Sequence, residues 1–411
     1  MKILLFTQHF WPENFRINQV ATSLSLRNHE IFVITAKPNY PKGKIFSSYN
    51  LLSFDLEKFN DINILRVPIV PRGKNIILLI LNYISYIFNA TIFAPLLLKN
   101  KKFDIVLVYA TSPIFQAIPA IIFCKLKKIP LAIWVQDLWP ESVEATGFIK
   151  NKFFLNILRF FVKVIYVNAD SILIQSQAFK KSISKFTSKK NIYYLPNSYE
   201  GFGRKFTIPG VNLKNIVLSN LRNKFIITFT GNIGKAQALN ILIDAANHLK
   251  KIKKLHFLIV GDGRCLNEIK VYVKKLNLSN ITFLGELPHN YMPFIMKNSS
   301  ALYLSLTNSY IFSLTVPSKL QAYMSSSKPI IASISGEAAN IIRNSNCGYA
   351  CKPENSKMLS RIIKKIYFDS EYKRLQMGLN AKKYFDLHFE HHTLINKLIK
   401  FLEITKELHG T

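Results

Sequence analysis

Two apolar, β-branched runs, residues 2–7 and 31–35, bracket a stretch of helical spacing in which Val20, Ala21 and Leu24 share one face. Strand, helix and strand in that order form a βαβ unit. An apolar run without polar alternate positions belongs in a parallel sheet covered on both faces. Further runs at residues 64–68, 105–109, 131–135 and 171–175 continue the pattern. Residues 199–223 then turn polar, with Gly201, Gly203, Pro209 and Gly210, and read as containing a linker. The alternation restarts with strands at 225–230, 255–260, 281–284, 302–306 and 329–333, separated by helical stretches at 237–250, 266–276 and 291–298. This predicts an α/β fold of two doubly wound, Rossmann-like domains facing each other across a cleft. The expected domains are residues 1–205 and 206–379, with a last helix, about 380–408, crossing back to the first. A chain of 411 residues exceeds what one ordinary core holds.

The net charge of +32 calls for an anionic partner: a membrane surface, nucleic acid or phosphorylated ligands. Lysine runs such as 250–254 also fit a general Lys/Ile/Asn bias of composition. Four scattered cysteines, Cys124, Cys265, Cys347 and Cys351, form no disulfide framework and fit a reducing compartment. Residues 1–10 carry only a short apolar run before a polar break, which reads as a first strand and not a signal peptide. Residues 76–98 are the most apolar stretch, long enough to span a bilayer, yet Asn82, Ser85, Asn89, Thr91 and Pro95 interrupt them inside an α/β alternation. A buried or membrane-surface helix is the expectation there. Residues 153–167 join Phe153, Phe154 and Phe161 to Lys152, Arg159 and Lys163, which suits either an anionic membrane or ordinary packing on the sheet.

The chemistry centres on residues 313–342. Pro317, Ser318 and Lys319 open one short helix; Gly336 and Glu337 open another after the strand 329–333. Helix N-termini offer free N–H groups and partial positive charge, an arrangement suited to phosphate. The loop Gly231, Asn232, Ile233, Gly234, Lys235 follows a strand and either brings its backbone to a phosphate or serves as a tight turn. Gly261 and Gly263 follow the next strand, but Leu266 stands at the third glycine position of a dinucleotide fingerprint, so a nicotinamide cofactor is not expected. After the strand 131–135, Asp137 and Glu141 are the best carboxylates for a reacting centre, and Trp139 offers a stacking face; capping and core packing are the alternatives. Thr111 and Ser112 offer hydroxyls to an acceptor or cap a helix. The Asp55-Leu56-Glu57 triplet falls in a polar loop and is set aside as a metal–diphosphate site, and His388, His391 and His392 read as a surface helix.

Taken together, the segments 10–18 (FWPENFRIN), 38–41 (PNYP), 137–141 (DLWPE), 231–237 (GNIGKAQ), 261–263, 317–319 and 336–337 resemble, in this order, a family 4 glycosyltransferase of the GT-B fold, in the WbuB-like O-antigen and capsule subgroup. The resemblance covers nearly the whole chain. It implies retaining transfer of a sugar from a nucleotide diphosphate, UDP-linked, to a lipid-diphosphate-linked saccharide at the inner face of the cytoplasmic membrane, with neither metal nor nucleic acid required. Donor contacts would come from Gly231, Asn232, Gly234, Lys235, Gly261, Gly263, Ser318, Lys319, Gln321, Gly336 and Glu337. Asn14, Arg16, Asn18, Thr111, Ser112 and Trp139 would meet the acceptor. Asp137, Glu141, Lys319 and Glu337 would serve the reaction. The family's paired glutamates fall here at Leu314 and Ala322, so that either Gln321 substitutes for the ribose contact or the contact is lost; its usual lysine falls at Gln237, near Lys235; and residues 14–18 replace its glycine-rich acceptor loop. A nucleotide-sugar epimerase of the same fold, or a basic polyanion-binding protein, are the competing readings.

Overall fold

The computed structural model of the chain describes residues 1–73, 75–146, 151–187, 191–201, 221 and 223–409. Most of the expected linker lies outside these residues. The chain divides into two units, one of Met1–Leu195 with Ile395–Thr411 and the other of Pro196–Leu394.

In the first unit the strands are β1 (Lys2–Phe6), β2 (Glu30–Ala36), β3 (Asp55–Phe59), β4 (Ile62–Val67), β5 (Ile105–Ala110), β6 (Leu131–Val135), β7 (Ser171–Ile174) and β8 (Ile192–Tyr194). They form one sheet in the order β3-β4-β2-β1-β5-β6-β7-β8. Every pairing is parallel except β3 with β4. All six residues of β5 are buried, as a strand covered on both faces requires. The order reverses between β1 and β5, and loops leaving the carboxyl ends there open the crevice where such sheets bind ligands.

β3 corrects the sequence reading, which placed Asp55 and Glu57 in a loop. Two cations explain it. Lys37 and Arg66 are fully buried, and they pair with Asp55 and Glu57. A buried cation needs a partner, so the alternating acidic residues become an edge strand against β4.

In the second unit β9 (Phe225–Thr230), β10 (Leu255–Val260), β11 (Ile281–Gly285), β12 (Ala301–Ser305), β13 (Ile330–Ser333) and β14 (Gly348–Cys351) lie in the order β11-β10-β9-β12-β13-β14, all parallel. The reversal falls between β9 and β12. The helix after β9 starts later than its spacing suggests: a short 3-10 turn, Lys235–Gln237, and a left-handed Ala238 precede Leu239–His248.

The expected crossing helix is two helices. Glu371–His388 belongs to the second unit, where Met377, Ala381 and Phe385 enter its cores. The next, His391–His409, returns to the first unit only from Ile395. There Leu398 and Leu402 are buried and Thr405 bonds Ser171, Oγ1 to Oγ, at 2.6 Å. His391 is buried, contrary to a surface assignment, with Nδ1 2.8 Å from Ser198 Oγ.

Gly378 fixes how Glu371–His388 sits, because a Cβ there would lie 2.2 Å from the Ser327 carbonyl oxygen. Gly378→Ala is expected to push the helix off the turn before β13 and to cost about 1–3 kcal/mol, read as a lower denaturant midpoint at unchanged slope.

Candidate functional site

The second unit assembles its site where β9, β10, β12 and β13 end. Lys319 and Tyr323 lie four apart on the helix Ser318–Ser325 and so share a face. Tyr323 is buried, and its hydroxyl accepts the Thr230 N–H at 2.9 Å, anchoring that helix to the end of β9. Lys319 is thereby laid over β9. Its ammonium stands 3.9 Å from the centre of the Phe229 ring and donates to the Asn232 carbonyl at 3.5 Å. Gly231 has φ +110°, and a Cβ there would lie 2.7 Å from Lys319 Cε, so a side chain would displace the flexible end of the lysine. Burial pushes the Lys319 ammonium down to about 8. The Phe229 ring face offsets part of that desolvation, by about 0.5–2 kcal/mol for a contact of this kind.

The two glycine loops lie against each other. Gly261 has φ +137°, and a Cβ there would meet the Gly231 carbonyl oxygen at 2.0 Å. Gly263 is as tight against the carbonyl of Ile233. Gly234 N–H donates to Gln237 Oε1 at 3.0 Å, and Asn232 Nδ2 donates to the same oxygen at 3.3 Å. Gln237, where the resembled family has lysine, thus ties the loop shut. Gly231, Asn232 and Lys235 remain exposed on its outer side.

Neither helix N-terminus is capped by a side chain. Ser318 opens the first after Pro317 and is exposed. Gly336, at φ +71°, precedes Glu337 of the second, Glu337–Asn344, and a Cβ on it would strike the Ser313 carbonyl oxygen at 1.8 Å. Burial holds the Glu337 carboxyl above the usual range despite its place in the first turn. Lysine and the uncapped helix starts together give backbone donors and positive charge at one sheet edge, a setting for an anion; the glycine N–H groups are already taken, Gly231 by the Val260 carbonyl, Gly261 by the Gly285 carbonyl, Gly234 by Gln237 and Gly263 by Asp262. Gln321 does not join them. It is 1% exposed, and its Nε2 donates to the Asn197 carbonyl at 2.6 Å, so the expected ribose contact is not offered.

In the first unit the crevice is braced by buried amides. Gln8 Nε2 donates to Asn82 Oδ1 at 2.8 Å, Gln8 N–H to Gln116 Oε1 at 3.0 Å, and Asn82 Nδ2 to the Val70 carbonyl at 2.6 Å. Ser112, Asp137 and Trp139 do come together: Asp137 Oδ2 accepts the Ser112 N–H at 2.9 Å, and Trp139 Nε1 donates to Ser112 Oγ at 3.0 Å. Thr111 Oγ1 is taken by Gln116 Nε2 at 3.0 Å. Asn18 braces its own loop, accepting from Trp11 N–H at 3.0 Å and donating to the Glu13 carbonyl at 2.7 Å; it is not a free acceptor contact. Asn14 is exposed and Arg16 half-buried. Glu141 is half-buried with Oε2 unpartnered, within electrostatic reach of buried Tyr166. Missed from the sequence was a buried pair beside β1, His9 Nδ1 with Glu13 Oε2 at 2.8 Å. Its signal was a histidine and a carboxylate four residues apart directly after a buried strand.

Residues 214–384 match the family model described as Glycosyl transferases group 1. WbjE of Pseudomonas aeruginosa, named as a glycosyltransferase, is 23% identical over 287 residues, 69% of this chain and 71% of that protein. WcaI of Escherichia coli strain K12, named as a colanic acid biosynthesis glycosyl transferase, is 24% identical over 307 residues, 72% of this chain and 74% of that one. Among solved structures, a Rickettsia africae glycosyltransferase superposes with a TM-score of 0.70 at 15% identity, covering 99% of this chain and 98% of that one. HepE of Anabaena, solved in complex with UDP, gives 0.69 at 15% identity, covering 98% and 100%.

The lysine allows a direct check of the anion site. Its ammonium is charged below about pH 8 and is lost as pH rises through that value. Calorimetric affinity for a nucleoside diphosphate is expected to fall by up to about tenfold between pH 7 and 9, and Lys319→Ala to bind weakly with little pH dependence.

Proposed function

We propose that this glycosyltransferase, whose residues 214–384 match a group 1 domain, moves a sugar with retention from a nucleoside diphosphate, UDP foremost, to a lipid-diphosphate-linked saccharide in the building of a cell-surface polysaccharide. The observation that carries the reading is Lys319 clamped over Gly231 and Phe229 beside two uncapped helix starts. In this reading the diphosphate lies beside the Gly231–Gly234 loop and the Gly336 turn, where the N–H groups of the two helix starts and the ammonium meet its charge. As the bond from the anomeric carbon to the diphosphate oxygen breaks, that oxygen gains negative charge, and fixed positive partners stabilise it more than they stabilise the bound donor. The acceptor hydroxyl attacks from the same face, and its proton leaves on the departing diphosphate. Glu337, held toward its protonated form by burial, hydrogen-bonds a hydroxyl of the transferred sugar. The reaction as proposed needs no metal, because backbone donors and lysine take that role. WcaI's colanic acid name supports the polysaccharide setting, and the HepE–UDP complex supports the donor. Membership of the WbuB-like subgroup is part of the same proposal.

We also place the first unit on the inner face of the cytoplasmic membrane. The helix Ile76–Leu97 is long and apolar enough to cross a bilayer by length and composition, yet it buries only a stripe of Asn82, Tyr86, Ala90 and Ala94. Ile77, Ile84, Phe88 and Leu96 stand 55–66% exposed around it. Asn82 is locked into the crevice network, which favours a helix lying on the membrane over one spanning it. The helix Lys152–Val167 adds exposed Phe153 and Phe160, with Lys152 and Lys163 exposed beside them. Arg159 contributes less charge than its sequence position suggests, because it pairs with Glu144 at 2.5 Å. Apolar side chains flanked by cations suit an anionic lipid surface.

Purified protein given radiolabelled nucleotide-sugars and membranes bearing lipid-linked saccharides is expected to transfer label in the presence of chelator, with Lys319→Ala reduced at least a hundredfold. Absence of transfer from every donor tested overturns the proposal. In vesicle sedimentation, the Lys152→Ser, Lys163→Ser double variant is expected to lose about fivefold in partitioning per lysine on phosphatidylglycerol vesicles and little on phosphatidylcholine.

A further inference from the structure

His9 and Glu13 follow β1 at the reversal of the first sheet, and they are 6% and 3% exposed. Glu13 is fully committed. Its Oε1 accepts the N–H groups of Asn39 and Tyr40 at 2.8 and 2.6 Å, and its Oε2 meets His9 Nδ1. The imidazole lies flat on Phe15, ring centroids 4.8 Å apart and 5° from parallel, with the Tyr40 ring 5.7 Å away. Carboxylate and rings therefore fix its position, and in the tautomer that gives the Nδ1 proton to Glu13, Nε2 presents a lone pair. Among the described residues no hydrogen bond reaches Nε2, while the side chain keeps a 7% opening to solvent. The loop does not need that nitrogen, since Glu13 already joins the loops after β1 and β2 through Asn39 and Tyr40. A rigid acceptor atom left open beside two aromatic rings is instead suited to a sugar hydroxyl. Arg72, 5.3 Å from the centre of the Tyr40 ring, extends the same wall with positive charge.

We propose that His9, held by Glu13, is a binding residue for the acceptor saccharide, its Nε2 accepting a hydrogen bond from an acceptor hydroxyl between Phe15 and Tyr40. This rests on the reading that the first unit receives the acceptor. Arg72 is placed to meet an anionic group of the same molecule.

The test measures initial transfer rates against the amount of acceptor-bearing membrane and, separately, against donor concentration. His9→Ala is expected to raise the half-saturating amount of membrane acceptor at least tenfold and to leave that of the donor within twofold. His9→Gln, which can still present an acceptor oxygen, is expected to recover part of the loss, and Glu13→Gln to show an intermediate rise. Unchanged acceptor saturation in His9→Ala overturns the proposal. So does a parallel rise for donor and acceptor with a lowered melting temperature, the mark of a structural strut. Failure of the transfer reading itself appears separately, as absence of transfer by the unsubstituted protein.

Discussion

The laying of Lys319 on the Phe229 ring is the contact on which the second unit's site depends. It needs three things at once: a tyrosine one turn along to anchor the helix, an aromatic ring at the end of β9, and a residue without a side chain between them. Removing water from an ammonium is costly, and burial lowers this one to about 8. In the proposed reading an arriving diphosphate relieves it. The free protein therefore holds a charge that is more comfortable with ligand than without, which is how a site can favour a state that appears only as the leaving group departs.

The first unit is organised differently. Its crevice is held by neutral amides and one buried carboxylate, each with its partners met: Gln8, Asn82 and Gln116 lock to one another and to backbone, and Glu13 ties two loops. Such satisfied networks hold geometry well because breaking one bond strands a buried polar group. Asn82 carries the network into the apolar helix Ile76–Leu97, so the surface proposed for the membrane and the proposed acceptor crevice share a single brace.

Much of this fold was legible because buried parallel strands write themselves as unbroken apolar runs; β5, β6, β9 and β10 read almost to the residue. β3 was not, since an edge strand facing buried Lys37 and Arg66 looks like a polar loop until its partners are known. Lys319 was read from the helix start after Pro317, and the glycines from their position after strands. Gln321 and Asn18 misled because an amide in sequence looks available, and only tertiary structure shows that Gln321 is buried with its Nε2 on Asn197 and that Asn18 is bonded within its own loop. The His9–Glu13 pair hid for the opposite reason: spacing of four residues has meaning on a helix, and here it falls in a loop.

The last helix has a consequence for how the chain is made. The first unit is completed by Ile395–Thr411, with Leu398 and Leu402 in its interior and Thr405 bonded to β7. A ribosome delivers these residues after the whole second unit has emerged. The earliest-made sheet therefore waits, with part of its apolar surface uncovered, while the later-made unit can close first. Completion of the first unit thus follows synthesis of the second, and loss of residues 395–411 would injure the N-terminal sheet.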